Sequence, residues 1–160
     1  MIMQLDIAKA YDKVNWSYIK KILMAFGFDH NWVRWVMAPV TSSSFSILVN
    51  GSPSEVLVPS RGLRQGDPIS LFLFILMIEG LGRAIKQAKA TGKIKGIQLI
   101  ENGQDLTHQQ FFDDTMLQGI PTAKEAITYK YILDVFARAS GMEVNLLKSK
   151  SFFFNTNIAI

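Results

Sequence analysis

Asp113 and Asp114 are adjacent carboxylates that directly follow the apolar pair Phe111-Phe112. Neighbouring like charges repel and cost free energy unless a cation sits between them. A third carboxylate, Asp6, lies far upstream in another strand-like run. Three carboxylates brought to one place would hold two hard divalent cations, the equipment of phosphoryl transfer. The pair alone supports an equally simple reading, a polar hairpin turn, because aspartate favours turns. Deciding between them requires the elements that would carry positions 6, 113 and 114.

The run Met1 to Ile7 alternates, with Met3, Leu5 and Ile7 on one face and Gln4 and Asp6 on the other. That is a strand with an apolar back and a carboxylate in front. Tyr11-Asp12 follows as the chain turns. Helical spacing of Ile19, Ile22, Leu23 and Phe26 predicts a helix over Ser17 to Phe26, ended by Gly27. A second helix is expected over His30 to Met37, with Trp32, Trp35 and Val36 on one side and Pro39 stopping it. Ser43 to Val49 and Glu55 to Val58 read as strands around an Asn50-Gly51 turn.

Arg61 to Asp67 is a glycine-bearing loop. Asp67-Pro68 then opens the longest helix, with aspartate as cap and proline in the first turn. Leu71 to Ile78 is apolar on all sides and is expected to be buried, whereas Arg83, Lys86 and Lys89 point outward and Gly92 ends the helix. Gly96 to Ile100 and Leu106 to Phe112 read as strands, and Thr115 to Leu117 pairs back after the two aspartates. Thr122 to Glu125 is a capping box opening a helix to about Ala139, closed by Ser140-Gly141. Short strands follow at Glu143 to Asn145 and Ser151 to Asn155, around Lys148. The tryptophans, Phe72 and Phe74 are assigned to the core. Strands interleaved with helices and hairpins predict an α+β fold, an antiparallel sheet with helices packed on one face.

The 160 residues predict one domain, 1–160, able to bury a sizeable core. A formal net charge of +4 suits a polyanionic partner, though modestly. There is no cysteine, which excludes disulfides and thiolate metal sites, and His30 and His108 lack zinc spacing. No targeting segment is visible, and the longest apolar run is far short of the ~20 residues of a membrane span. The sequence leaves the location open, with nuclear or cytoplasmic the expectation if the chain is expressed. The chain starts inside a strand-like run, which suggests a piece of a longer polypeptide.

Four blocks resemble, in order, the palm of reverse transcriptases of non-LTR retrotransposons, most closely the LINE-type elements of plants. They are Leu5 to Asp12, Arg61 to Ser70, Phe111 to Asp114, and Ala139 to Asn145 with Lys148-Ser149. The paired aspartate is weak evidence alone. The arginine–glutamine–glycine–aspartate–proline run is specific, and the four together are very specific. The resemblance implies an RNA-directed DNA polymerase acting on an RNA template, a DNA primer and deoxynucleoside triphosphates. It implies Asp6, Asp113 and Asp114 as catalytic ligands of two Mg²⁺ ions, with Mn²⁺ as an alternative. Tyr11 becomes an aromatic gate beneath the sugar. Gln65, Gly66 and Phe112 lie by the incoming nucleotide, and Arg61 and Arg64 reach nucleic-acid phosphates. Lys148 becomes a catalytic proton donor to the leaving pyrophosphate. Read without the resemblance, Tyr11 is a core residue, Arg61 and Arg64 are loop surface, Lys148 is a surface lysine with Lys150 as rival, and Asp12 is a structural residue, a helix-start cap or an ion-pair partner.

Phe112 departs from the family's usual alanine, Leu71 from a proline, and Gln109 and Gln110 from apolar residues. Since strand neighbours face opposite ways, at least one glutamine needs buried partners or costs about 1–3 kcal/mol. The departures near the metal site suggest a decaying copy, so a folded remnant that binds nucleic acid weakly stands as the alternative. A nucleotidyl cyclase, which has no use for the Arg61 to Ser70 loop, ranks below both. The resemblance places the family's fingers before the first block and its thumb after the palm, so residues 1–160 alone are expected to lack most of the grip on substrate. We therefore expect little or no primer extension on an RNA template from this chain alone. Robust synthesis in that assay would overturn the expectation.

Overall fold

The computed structural model describes residues 1–98, 103–111 and 114–154. In chain order the elements are β1 (Ile2–Ala8), α1 (Ala10–Lys13), α2 (Trp16–Ala25), α3 (His30–Thr41), β2 (Leu48–Val49), β3 (Ser52–Pro53) and α4 (Pro68–Ala90). There follow β4 (Ile97–Gln98), β5 (Asp105–Leu106), β6 (His108–Phe111), β7 (Asp114–Gln118), α5 (Ala123–Ser140), β8 (Glu143–Val144) and β9 (Lys150–Phe152). The main sheet is antiparallel and runs β6-β7-β1-β8, with β9 also paired to β1. Because β1 alternates, it divides the molecule. Leu5 and Ile7 are buried toward the helices, while Gln4 is exposed on the other side. The expected α+β class, one sheet with helices on one face, is the fold observed.

Helix α4 is the hub of the core. Its residues Leu73, Phe74, Met77, Ile78, Leu81 and Ile85 are buried. Burying each such side chain contributes about 1.5–3 kcal/mol. Asp67 caps the helix, accepting from the Ile69 amide at 3.1 Å. The helix is long and apolar enough to cross a membrane by length and composition. Here it packs instead against α2, α5 and β6.

Not all of it is covered. Leu71, Phe72 and Ile75 lie exposed, Phe72 by 64%. This corrects the expectation that Leu71 to Ile78 is buried throughout. A run that is apolar all round does not reveal on how many sides it has neighbours. The tryptophans differ too. The buried stripe of α3 is Val33, Val36, Met37 and Val40, which leaves Trp35 68% exposed and Trp32 exposed but stacked on Phe28. Trp16 is half-buried. Pro39 does not stop α3, which continues to Thr41. Proline removes one helical donor to the carbonyl four residues back, and at exposed Trp35 water can replace it.

The Asn50-Gly51 turn forms as expected, both residues having positive φ, but the hairpin is shorter than predicted. Only Leu48–Val49 and Ser52–Pro53 pair, with one further bridge between Phe45 and Leu57. The capping box of α5 is half formed. Thr122 accepts from the Glu125 amide at 3.3 Å. The Glu125 carboxylate, buried, instead accepts from the Lys95 and Ile120 amides at 3.0 and 2.9 Å. It thus ties the segment before β4 to the start of α5. Gly141, with φ of 79°, ends the helix in the left-handed conformation.

The two glutamines of β6 resolve by strand alternation. Gln110 turns toward α4 and donates to the Ile78 carbonyl at 3.3 Å, and Gln109 lies exposed on the open face. His108, also turned to α4, has its pKa lowered from about 6.5, chiefly by burial and secondarily by Lys86, with Glu79 opposing. A pKa depressed by folding contributes stability that is present above the unfolded value and lost as pH falls through the folded one. Thermal stability should therefore decline below pH 6.5, and His108→Gln should flatten that part of a melting-temperature profile.

Candidate active site

Strands β1 and β7 pair in register, with Asp6 opposite Asp114, Leu5 opposite Thr115 and Gln4 opposite Met116. Directly opposed residues in a sheet point to the same face. Asp6 and Asp114 therefore project together from the open side of the sheet, at the end where β6 turns into β7. Opposed like charges in this position are destabilising. Among the described residues neither carboxylate belongs to an ion pair. Asp113 and Phe112 lie outside the described residues. Among those described, no group of three or more acidic, histidine or cysteine side chains gathers. Two facing carboxylates with no cationic partner are a hard-oxygen donor set of the kind divalent cations take.

The turn after β1 brings a second group to this end. Lys9 has a left-handed backbone (φ 47°, ψ 47°), which reverses the chain into α1 and sets Tyr11 beside α4. There the Tyr11 ring stacks on Phe74, centroids 4.9 Å apart and planes 12° from parallel. An open groove is lined by Tyr11, Gln65, Gly66, Asp67, Pro68 and Leu71. It unites three residues singled out from the sequence, Tyr11, Gln65 and Gly66.

The loop bearing Gln65 is held against the turn by three short hydrogen bonds. The Gly62 amide donates to the Val14 carbonyl, the Leu63 amide to the Tyr11 carbonyl, and the Trp16 indole N–H to the Gly62 carbonyl, all at 2.7 Å. Gly62 has φ of 93°, and a Cβ there would meet the Asp12 carbonyl oxygen at 2.8 Å. Asp12 does not cap α1, whose N-cap is Lys9; its carboxylate faces the Gln65 amide at 3.5 Å. Arg61 and Arg64 are exposed and line a neighbouring groove with Ser43, Ser44, Phe45 and Gln65. Glu143 accepts from Lys13 and lies in the field of Arg61, and the two cations hold its pKa below the usual range, Lys13 most.

Lys148 is exposed in the turn between β8 and β9. That turn is fastened to β1 at Asp6. The Asn145 amide donates to the Asp6 carbonyl at 2.8 Å, and the Asp6 amide donates to the Ser149 hydroxyl at 3.3 Å. Lys150, in contrast, is in β9 opposite Gln4, and so points to the same face as Asp6.

The family model described as reverse transcriptase (RNA-dependent DNA polymerase) matches residues 1–158. The chain belongs to the reverse transcriptase family. It is a reverse transcriptase domain of the non-LTR retroelement type, as its relatives indicate. It is 28% identical over 151 residues to the Pol polyprotein of the R2 retrotransposable element of Popillia japonica, covering 94% of this chain and 20% of that protein. It is 36% identical over 84 residues to the corresponding R2 polyprotein of Drosophila melanogaster, covering 52% and 8%. An uncharacterized mitochondrial protein of Arabidopsis thaliana is 44% identical over 68 residues, covering 42% and 56%. The chain thus spans about half of the last and a fifth or less of the polyproteins. Among solved structures, a telomerase from Candida albicans in complex with a fragment of telomeric RNA aligns at TM-score 0.68 and 15% identity, covering 97% of this chain and 27% of that one. Apo telomerase from Candida tropicalis aligns at TM-score 0.71 and 14% identity, covering 99% and 31%. These structural likenesses establish the shared fold.

Sequence reading of this reverse transcriptase domain missed Lys150 as a residue on the site's face. The alternation of β9 was the available signal, but the pairing partner that fixes its register was not. It also gave no role to Gly62, the loop glycine that packs closely against the chain itself. Both it and Gly66 have positive φ, and a Cβ on Gly66 would meet nothing within 4 Å. Gly62→Ala should therefore destabilise the domain by more than the roughly 1–2 kcal/mol of left-handed strain that Gly66→Ala incurs. Urea denaturation of the two variants measures the difference.

Proposed function

We propose that this domain is the palm of an RNA-directed DNA polymerase, extending a DNA primer on an RNA template from deoxynucleoside triphosphates. The observation that carries the reading is the registered pairing of Asp6 with Asp114 on the open face, next to the Tyr11–Gln65–Gly66 groove. Asp6, Asp114 and Asp113 would hold two Mg²⁺ or Mn²⁺ ions. When bound, such ions neutralise phosphate charge and favour ionisation of the attacking hydroxyl.

The remaining work falls to the chain's own residues. The primer 3′-hydroxyl attacks the innermost phosphate of the triphosphate, and pyrophosphate leaves. Tyr11 forms a wall where a 2′-hydroxyl would project, and so favours deoxyribose. Gln65 presents both a donor and an acceptor to the nucleotide, and Gly66 lets the backbone approach it. Lys148, on its turn fastened to Asp6, donates a proton or a fixed positive charge to the departing pyrophosphate. Arg61 and Arg64 hold nucleic-acid phosphates along their groove.

Metal titration tests the reading. Mg²⁺ or Mn²⁺ should raise the melting temperature by mass action. Without metal, Asp114→Asn should be more stable than the wild type by about 0.2–1 kcal/mol, because it removes one of two opposed charges. The same variant, and Asp6→Asn, should lose the metal-induced rise. A wild type indifferent to both ions would sink the proposal and leave a metal-free remnant.

A further inference from the structure

The reading of Tyr11 as a sugar gate raises a mechanical question. A wall excludes a hydroxyl only if it does not yield, and a phenol ring can swing aside by rotation about its side-chain bonds even where its backbone is held. Tyr11 is the second residue of the four-residue helix α1, which follows the left-handed Lys9 and is too short to fix a side chain by its own backbone. Its rigidity has to come from a neighbour.

The structure supplies one. We infer that Phe74 is a specificity-determining positioning residue, which holds the Tyr11 ring in place and so sets how strongly ribonucleotides are rejected. This rests on the proposed function above. Three observations support it. The two rings are nearly parallel at contact distance, so Phe74 backs one face of Tyr11 as a plate. Phe74 is fully buried in the middle of the core face of α4, between Leu73 and Met77, and cannot move without disturbing that core. Its helix also provides the groove's far wall through Pro68 and Leu71, one to two turns earlier. Gate and wall are therefore referred to one rigid element. Phe74 does not line the groove, so its influence on the sugar passes through Tyr11.

The test is nucleotide binding by the whole chain with Mn²⁺, measured calorimetrically for dATP and ATP. The wild type should prefer dATP. Phe74→Leu should lower that preference roughly tenfold, the scale set by one misfitting group in a pocket, by tightening ATP while leaving dATP unchanged. In a Tyr11→Ala background the same change should have no further effect on the ratio. An unchanged ratio in folded Phe74→Leu, equal weakening of both nucleotides, or an effect that persists without Tyr11 would each overturn the inference. A wild type that binds both nucleotides equally overturns this inference together with the gate role of Tyr11, and leaves the metal-holding palm standing; one that binds neither overturns the proposed function as a whole. If Phe74→Leu does not fold by circular dichroism, Phe74→Met takes its place. If neither folds, the wild type decides through its Tyr11 ring-proton shifts in the Mg²⁺–dATP complex. Upfield shifts of a stacked ring support the inference, and shifts of a free ring overturn it.

Discussion

The opposition of Asp6 and Asp114 across β1 and β7 is the constraint around which this domain is built. Sheet registry fixes it. Once Leu5 and Ile7 commit to the core, Asp6 has to face outward, and once Leu117 commits, so does Asp114. A slip of one residue would relieve the charges but turn the apolar row of each strand to solvent. The cost of that slip is several buried side chains at about 1.5–3 kcal/mol each, well above the few tenths to one kcal/mol of a surface charge clash. Hydrophobic burial thus holds two carboxylates opposite each other on the open face.

The other site elements are arranged about the same strand. The Lys148 turn hangs from the backbone of Asp6, and the Gln65 loop hangs from the turn that leaves β1. Three segments far apart in sequence therefore take their positions from one strand and its immediate exit. Glu143 links two of them, since it accepts from Lys13 on α1 and lies within the field of Arg61. A displacement of β1 would move all of them together, and this suits a site whose parts must keep fixed distances.

Much of this was legible in the sequence. Alternation in Met1 to Ile7 gave both the strand and the face of Asp6. Asp67-Pro68 marked the start of α4, and Asn50-Gly51 the hairpin, because cap and turn signals are local. What failed depended on neighbours that are distant in sequence. Phe72 and Trp35 were assigned to the core on composition, but whether an apolar residue is covered depends on which elements pack beside it. Glu125 was expected to close its own capping box, and instead found partners at Lys95 and Ile120 that were free to compete for it. Lys150 was noted only as a rival to Lys148, since its face is set by pairing with β1. The positions of Asp113 and Phe112, on which the sequence reading also leaned, fall outside the described residues.

The left-handed backbone at Lys9 has a wider meaning. A side chain in that conformation costs about 1–2 kcal/mol relative to glycine and persists only where its surroundings impose it. Glycine would remove the penalty, but it would also make a pivot of the one residue between β1 and α1, the helix that carries Tyr11. Keeping lysine there trades folding free energy for a stiff joint, and what that stiffness preserves is the spacing between Asp6 and Tyr11.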